Sequence, residues 1–185
     1  MIRNLIPFAI LVFMALMSCE PNNPFDRGPA YDFEGNLEID RKKIAAYLDT
    51  AKIDSLYRIH DPSGVVIIVQ REGIGTRPTT NTVVYTDYIG KLMELGTVFD
   101  TSIESVARAN NIFEDGRVYQ PSTFLLGPLG TGVINGWNFG FRRLRPGSKA
   151  VLVIPSPEGY QAREDIDRIP PNSVLVFQID FLGID

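Results

Sequence analysis

The side chains of this chain that could do chemistry are aromatic and aliphatic rather than nucleophilic. A single tryptophan, Trp137, stands in the stretch Val133-Ile134-Asn135-Gly136-Trp137. Ile134, Trp137, Phe141 and Leu144 follow one another at steps of three, four and three, the face of a 3.6-residue helix. A lone tryptophan at the mouth of a short helix, with β-rich sequence on both sides, can floor a concave apolar pocket. On these residues alone, ordinary core is the simpler reading. One cysteine, Cys19, and one histidine, His60, leave no partner for an internal disulfide and no set for a Cys/His metal site. They also leave little room for a triad that needs a positioned imidazole. No metal and no cofactor is expected.

The elements that must position this cluster read as strands around one helix. Pro146-Gly147 stops the helix, and Arg142, Arg143 and Arg145 around it read as a solvated face. Val65 to Gln70 is nearly continuously apolar, which predicts a strand buried on both faces. Thr82 to Leu92, Thr97 to Asp100, Ser122 to Leu126, Ala150 to Ile154 and Ser173 to Leu182 add five more. The last alternates with a clean period of two. Residues 103–120 form a polar loop with room for a helical turn, and Pro155 to Pro171 a long rigid loop of the kind that is often functional. The fold class is α+β: an antiparallel, half-open sheet of five or six strands wrapped around one short α-helix.

The 185 residues suit one cored domain with appendages. Residues 1–18 have a positive start at Arg3 and an apolar run from Leu5 to Met17, too short to span a bilayer. The run ends in Leu16-Met17-Ser18-Cys19, which resembles the bacterial lipoprotein signal; that resemblance implies acylation of Cys19 and export to a membrane-held position. Residues 19–36, rich in Pro, Asn, Asp and Gly, read as a flexible tether. Residues 37–63 read as an amphipathic helical extension, with Ile39, Ile44, Tyr47, Leu48 and Ala51 on one stripe and Asp40 near its start; Ile53 to Tyr57 can add a turn, and His60 falls in a solvated loop. Residues 64–185 are the principal domain. A net charge of −4 argues against a nucleic-acid surface.

Several short motifs recur here in the order found in one family. They are Tyr88-Ile-Gly90, Gly96-Thr-Val-Phe-Asp100, Val133-Ile-Asn-Gly-Trp137, Gly147-Ser-Lys-Ala-Val151, Ile154-Pro-Ser-Pro-Glu-Gly-Tyr160 and Ile169-Pro-Pro-Asn-Ser-Val-Leu-Val-Phe177. Over residues 64–185 the chain resembles the FKBP-type peptidyl-prolyl isomerases, and with its leader it is similar to surface-anchored FKBP proteins of Gram-negative bacteria, periplasm-facing or on the outer membrane. The resemblance implies a shallow aromatic pocket between sheet and helix, with Trp137 as floor. Tyr88, Phe99, Val133, Ile134 and Phe177 would be walls, with Ile169 at the rim. It implies that Asp100 orients polar neighbours, and that the Tyr160 hydroxyl and Ile134 N–H donate to substrate carbonyls. The implied ligands are proline-containing polypeptides and macrolide inhibitors.

Departures are local. Ser122 stands where the family often has an aromatic wall residue, Gln161 where glycine is common, and the 103–120 loop is long. The leading expectation is an isomerase acting on exported proteins. Its alternatives are a catalytically weak binding or chaperone module of that shape, and a structural lipoprotein docking through its N-terminal helix. Gly127 to Gly132 lacks the strand–loop–helix context of a phosphate loop, and Glu164, Asp165 and Asp167 read as a solvated loop.

Overall fold

The computed structural model describes residues 30–129 and 132–185. The expected signal peptide at 1–18, Cys19 and most of the expected tether lie outside the described residues. Tyr31–Asp185 forms one compact unit.

Helix α1 runs from Phe33 to Thr50, beginning inside the stretch expected to be tether. Asp32 starts it: its carboxylate accepts from the Gly35 N–H at 2.9 Å, satisfying one of the first-turn donors. The buried positions are Leu37, Asp40, Ile44 and Leu48, whereas Ile39, expected on the apolar stripe, is 53% exposed. The extension is not helical throughout. After Ala51 the chain is extended and becomes strand β1, Tyr57–His60, which pairs antiparallel with β2, Val66–Arg71. His60 therefore ends a strand rather than lying in a loop.

The remaining strands are β3 (Thr82–Leu92), β4 (Val98–Thr101), β5 (Ser122–Leu126), β6 (Lys149–Ile154) and β7 (Leu175–Ile184). The antiparallel sheet has seven strands in the order β1-β2-β6-β7-β3-β4, with β5 pairing beside β4 on β3. The strand beyond the expected five or six is β1. Two further helices are α2 (Glu104–Ala109), inside the 103–120 loop, and α3 (Asn135–Phe141).

Both faces of the sheet are covered, which explains the unbroken apolar run of β2. Val65, Ile67 and Val69 face a core with Trp137, Phe141 and Leu144 of the α3 region. Val66 and Ile68 face a second core with Ile44 and Leu48 of α1 and Val151, Val153 and Val176 of the sheet. Helix α3 lies unusually close to β6 because two glycines face it. A Cβ built at Gly140 would stand 2.6 Å from Leu152 Cδ1, and one at Gly136 would overlap the Ile154 side chain.

The arginines beyond α3 are not a plain solvated face. Arg143 donates through Nε and Nη2 to Asp61 Oδ2 at 2.9 and 2.7 Å, while Asp61 Oδ1 accepts from the Ser63 N–H and hydroxyl. Arg142 donates to the Gly127 carbonyl at 2.9 Å. Burial alone would push the Asp61 carboxyl up, but the Ser63 and Arg143 bonds outweigh it and hold the group below its ordinary value.

Two outcomes follow. Gly140→Ala should lower stability in urea melts by about 1–3 kcal/mol, since Leu152 must move to admit the methyl. Asp61→Asn should lower it by about 1–3 kcal/mol at neutral pH through loss of charge-assisted bonds. A depressed folded pKa contributes stability that is complete above the unfolded value, 3.8, and lost as pH falls through the folded one. The gap between wild type and Asp61→Asn should therefore close in melts repeated in acid.

Candidate active site

A cavity of about 580 Å³ opens between α3, the sheet and the loop after β6. Each wall comes from a different element. Tyr88 is on β3, Phe99 and Asp100 on β4, Phe177 on β7, Val133 and Ile134 on the approach to α3, Trp137 in its first turn, and Tyr160 on the loop after β6. Trp137 is the hub of the aromatic set. Its ring lies 5.2 Å from Tyr88 and 5.3 Å from Phe177, both edge-to-face, and 5.1 Å from Phe124. Phe99 and Phe177 meet edge-to-face at 5.5 Å. These are the preferred geometries for ring quadrupoles, each worth about 0.5–1.5 kcal/mol beyond burial. Gly90 makes room for two of the walls: a Cβ there would come within 2.7 Å of Phe99 Cζ and 2.9 Å of Phe177 Cε1.

The polar groups divide into committed and uncommitted ones. Asp100 is committed: Oδ2 accepts from the Tyr88 hydroxyl at 2.5 Å, and Oδ1 accepts from the Thr101 N–H at 2.9 Å and from Arg117 at 2.8 Å. Burial, then the bond to Asp100, raises the Tyr88 phenol well above its ordinary value, so it stays a donor to that carboxylate. The Tyr160 hydroxyl and the Ile134 N–H have no acceptor among the described residues. Burial also raises the Tyr160 phenol, with the Asp100 charge adding to it, which keeps the free hydroxyl protonated. Apolar walls with two unused donors suit a ligand carrying carbonyl oxygens beside an apolar ring.

Of the residues expected at the site, Tyr88, Phe99, Asp100, Val133, Ile134, Trp137, Tyr160 and Phe177 line the cavity together. Ile169 does not. It is 6% exposed and packs within the main core beside the site rather than at a rim. The sequence reading missed Asn135, Gln161 and Arg163, which also line the opening, and Arg117, which fixes Asp100 from the lengthened loop. Asn135 lay within a motif already quoted; nothing local in the sequence marked Arg117. Ser122 lines the cavity. Gln161 holds φ at 57°, the left-handed region in which glycine is easier, and its N–H and carbonyl are both bonded, to the Ser156 carbonyl and the Asn172 N–H. Behind Asn135, Glu158 is 6% exposed and burial raises its carboxyl.

Comparison with known proteins agrees with this geometry. The family model described as FKBP-type peptidyl-prolyl cis-trans isomerase matches residues 75–182. A probable FKBP-type peptidyl-prolyl cis-trans isomerase FkpA of Neisseria meningitidis is 35% identical over 122 residues, covering 66% of this chain and 38% of its own length. An FK506-binding protein of the same organism is 34% identical over 121 residues, covering 65% of this chain and 96% of its own. The chain thus spans well under half of the first relative and nearly all of the second. Among solved structures, FkpA of Escherichia coli superposes with a TM-score of 0.60 at 28% identity, over 82% of this chain and 60% of that one. A peptidyl-prolyl cis-trans isomerase of Pseudomonas syringae gives 0.60 at 26% identity, over 85% and 99%. Matched over more than half its residues, the chain belongs to the FKBP-type peptidyl-prolyl cis-trans isomerase family.

Proposed function

We propose that the protein accelerates cis–trans rotation about X-Pro bonds by holding the twisted amide over Trp137. The observation that carries this is the ring cluster around Trp137 with two unused donors, Tyr160 hydroxyl and Ile134 N–H, at the same cavity. The barrier to rotation, roughly 18–20 kcal/mol, comes from amide resonance. The planar amide is polar, and the twisted one has lost much of its charge separation. A water-poor aromatic site therefore suits the twisted amide better than the planar one, which is the differential binding that catalysis requires. The free donors would anchor carbonyls flanking the bond, so that rotation occurs against a fixed frame. No nucleophile or base enters the scheme.

On this reading the substrates are proline-containing polypeptides, and macrolides that present a ring and carbonyls to the same site would compete. The leader resembling a lipoprotein signal supports an exported enzyme held at the cell envelope through acylated Cys19. No helix among the described residues is long and apolar enough to cross a membrane.

The decisive measurement is the isomerisation rate of a short X-Pro peptide. Tyr160→Phe should lower kcat/KM by about two- to tenfold, the loss of one neutral hydrogen bond. Trp137→Leu should lower it by on the order of tenfold or more as ring contacts are lost. No acceleration by folded wild-type protein would overturn the proposal, and binding of proline peptides without turnover would indicate a binding module instead. Separately, Cys19→Ala should move the protein from the membrane fraction to the soluble fraction of cells. Unchanged membrane association would reject the lipid anchor.

A further inference from the structure

Helix α1 lies ahead of the family's matched region, yet it carries a carboxylate into the loop that bears Tyr160. Asp40 is 2% exposed and Ser156 fully buried. Asp40 Oδ2 accepts from the Ser156 N–H at 2.7 Å and from its hydroxyl at 2.6 Å. Ser156 opens the short 3₁₀ turn Ser156–Glu158, so the carboxylate caps that turn. On its other side, the Ser156 carbonyl accepts from the Gly159 N–H and the Gln161 N–H, both at 3.0 Å. Those two residues flank Tyr160. Every polar group of Ser156 is thus used: two fasten it to α1, and one fixes the backbone on both sides of Tyr160.

The helix is itself anchored beside this contact. Leu37 sits against Gly64, where a Cβ would lie 2.7 Å from Leu37 Cδ1 and 3.3 Å from Pro155. Arg41 donates to the Pro62 carbonyl at 3.0 Å. Ile44 and Leu48 are held in the outer core. A buried carboxylate with two short bonds to one serine is an expensive way to attach a helix that apolar packing already holds. It is an effective way to set the position of a loop.

We propose that Asp40 is a positioning residue for Tyr160, acting through Ser156, and that α1 is therefore a working part of the active site. This rests on the isomerase reading and names a residue outside the cavity that tunes it. The hydroxyl of Tyr160 must meet a substrate carbonyl to within a few tenths of an ångström, so the backbone on both sides of it has to be held.

A double-mutant cycle on the full chain, purified in detergent, tests this. Asp40→Asn should lower kcat/KM on an X-Pro peptide by about three- to tenfold in the wild-type background. In the Tyr160→Phe background it should change kcat/KM less than twofold, because the hydroxyl it positions is gone. Its effect on Tm should be the same in both backgrounds, which separates positioning from stability. Equal losses of kcat/KM in both backgrounds, or no loss in the first, would overturn the proposal. If Asp40→Asn does not fold, Ser156→Ala, which removes only the hydroxyl bond, is read in the same cycle by the same criteria. Failure of the isomerase reading itself would appear separately, as wild-type protein with no activity.

Discussion

The closeness of α3 to β6 is the constraint on which the site depends. Gly136 and Gly140, one turn apart, present no side chain to Ile154 and Leu152, and the helix settles directly onto those two side chains. At that depth Trp137 reaches the ring of Phe177 on β7 and that of Tyr88 on β3, the strand beyond it. A helix held out by even one methyl would carry the tryptophan away from its partners. Gly90 repeats the device on β3, where its missing side chain lets Phe99 and Phe177 meet. The cavity is thus shaped as much by absent Cβ atoms as by aromatic rings.

The second organising feature is that the sheet has no bare face along β2 and β6. Ile67 and Val69 of β2 join the core beneath α3, and Val66 and Ile68 join the core beneath α1. A sheet dressed on both sides is stiff, and a stiff sheet suits a mechanism in which walls stay still while a peptide bond turns. It also means that α1 shares buried surface with β7, the strand that carries Phe177 of the site. An effect on one side of β6 has only one layer of backbone to cross.

Much of this was legible in the sequence because the signals were periodic or paired. The step pattern of Ile134, Trp137, Phe141 and Leu144 gave the helix, and the unbroken apolar run at Val65 to Gln70 announced a doubly buried strand. Eight of the nine expected pocket residues meet at one cavity because short motifs constrain local geometry. Ile169 escaped because a motif places a residue along the chain but does not say which way its side chain turns. The start of α1 was misread because Gly35 and Asn36 resemble linker composition, whereas the Asp32 cap is a three-residue relation easily lost among them. β1 does alternate, Tyr57 and Ile59 with Arg58 and His60, but four residues are too few to stand out beside a helical stripe that ends next to them. Asp40 and Ser156 are 116 residues apart, and no local pattern could have joined them.

The strand order also dictates when this domain can exist. β7 follows every other strand in sequence but lies between β6 and β3, pairing with β3 from Leu175 to Ile184 and with β6 from Leu175 to Asp180. Before residues 175–184 are available, the molecule is two unjoined sheet fragments, each with a raw edge. Such long-range closure makes folding slow relative to helical domains of the same size and leaves those edges open to other chains. If the protein is exported as an unfolded chain, that topology keeps it threadable until its final strand has emerged.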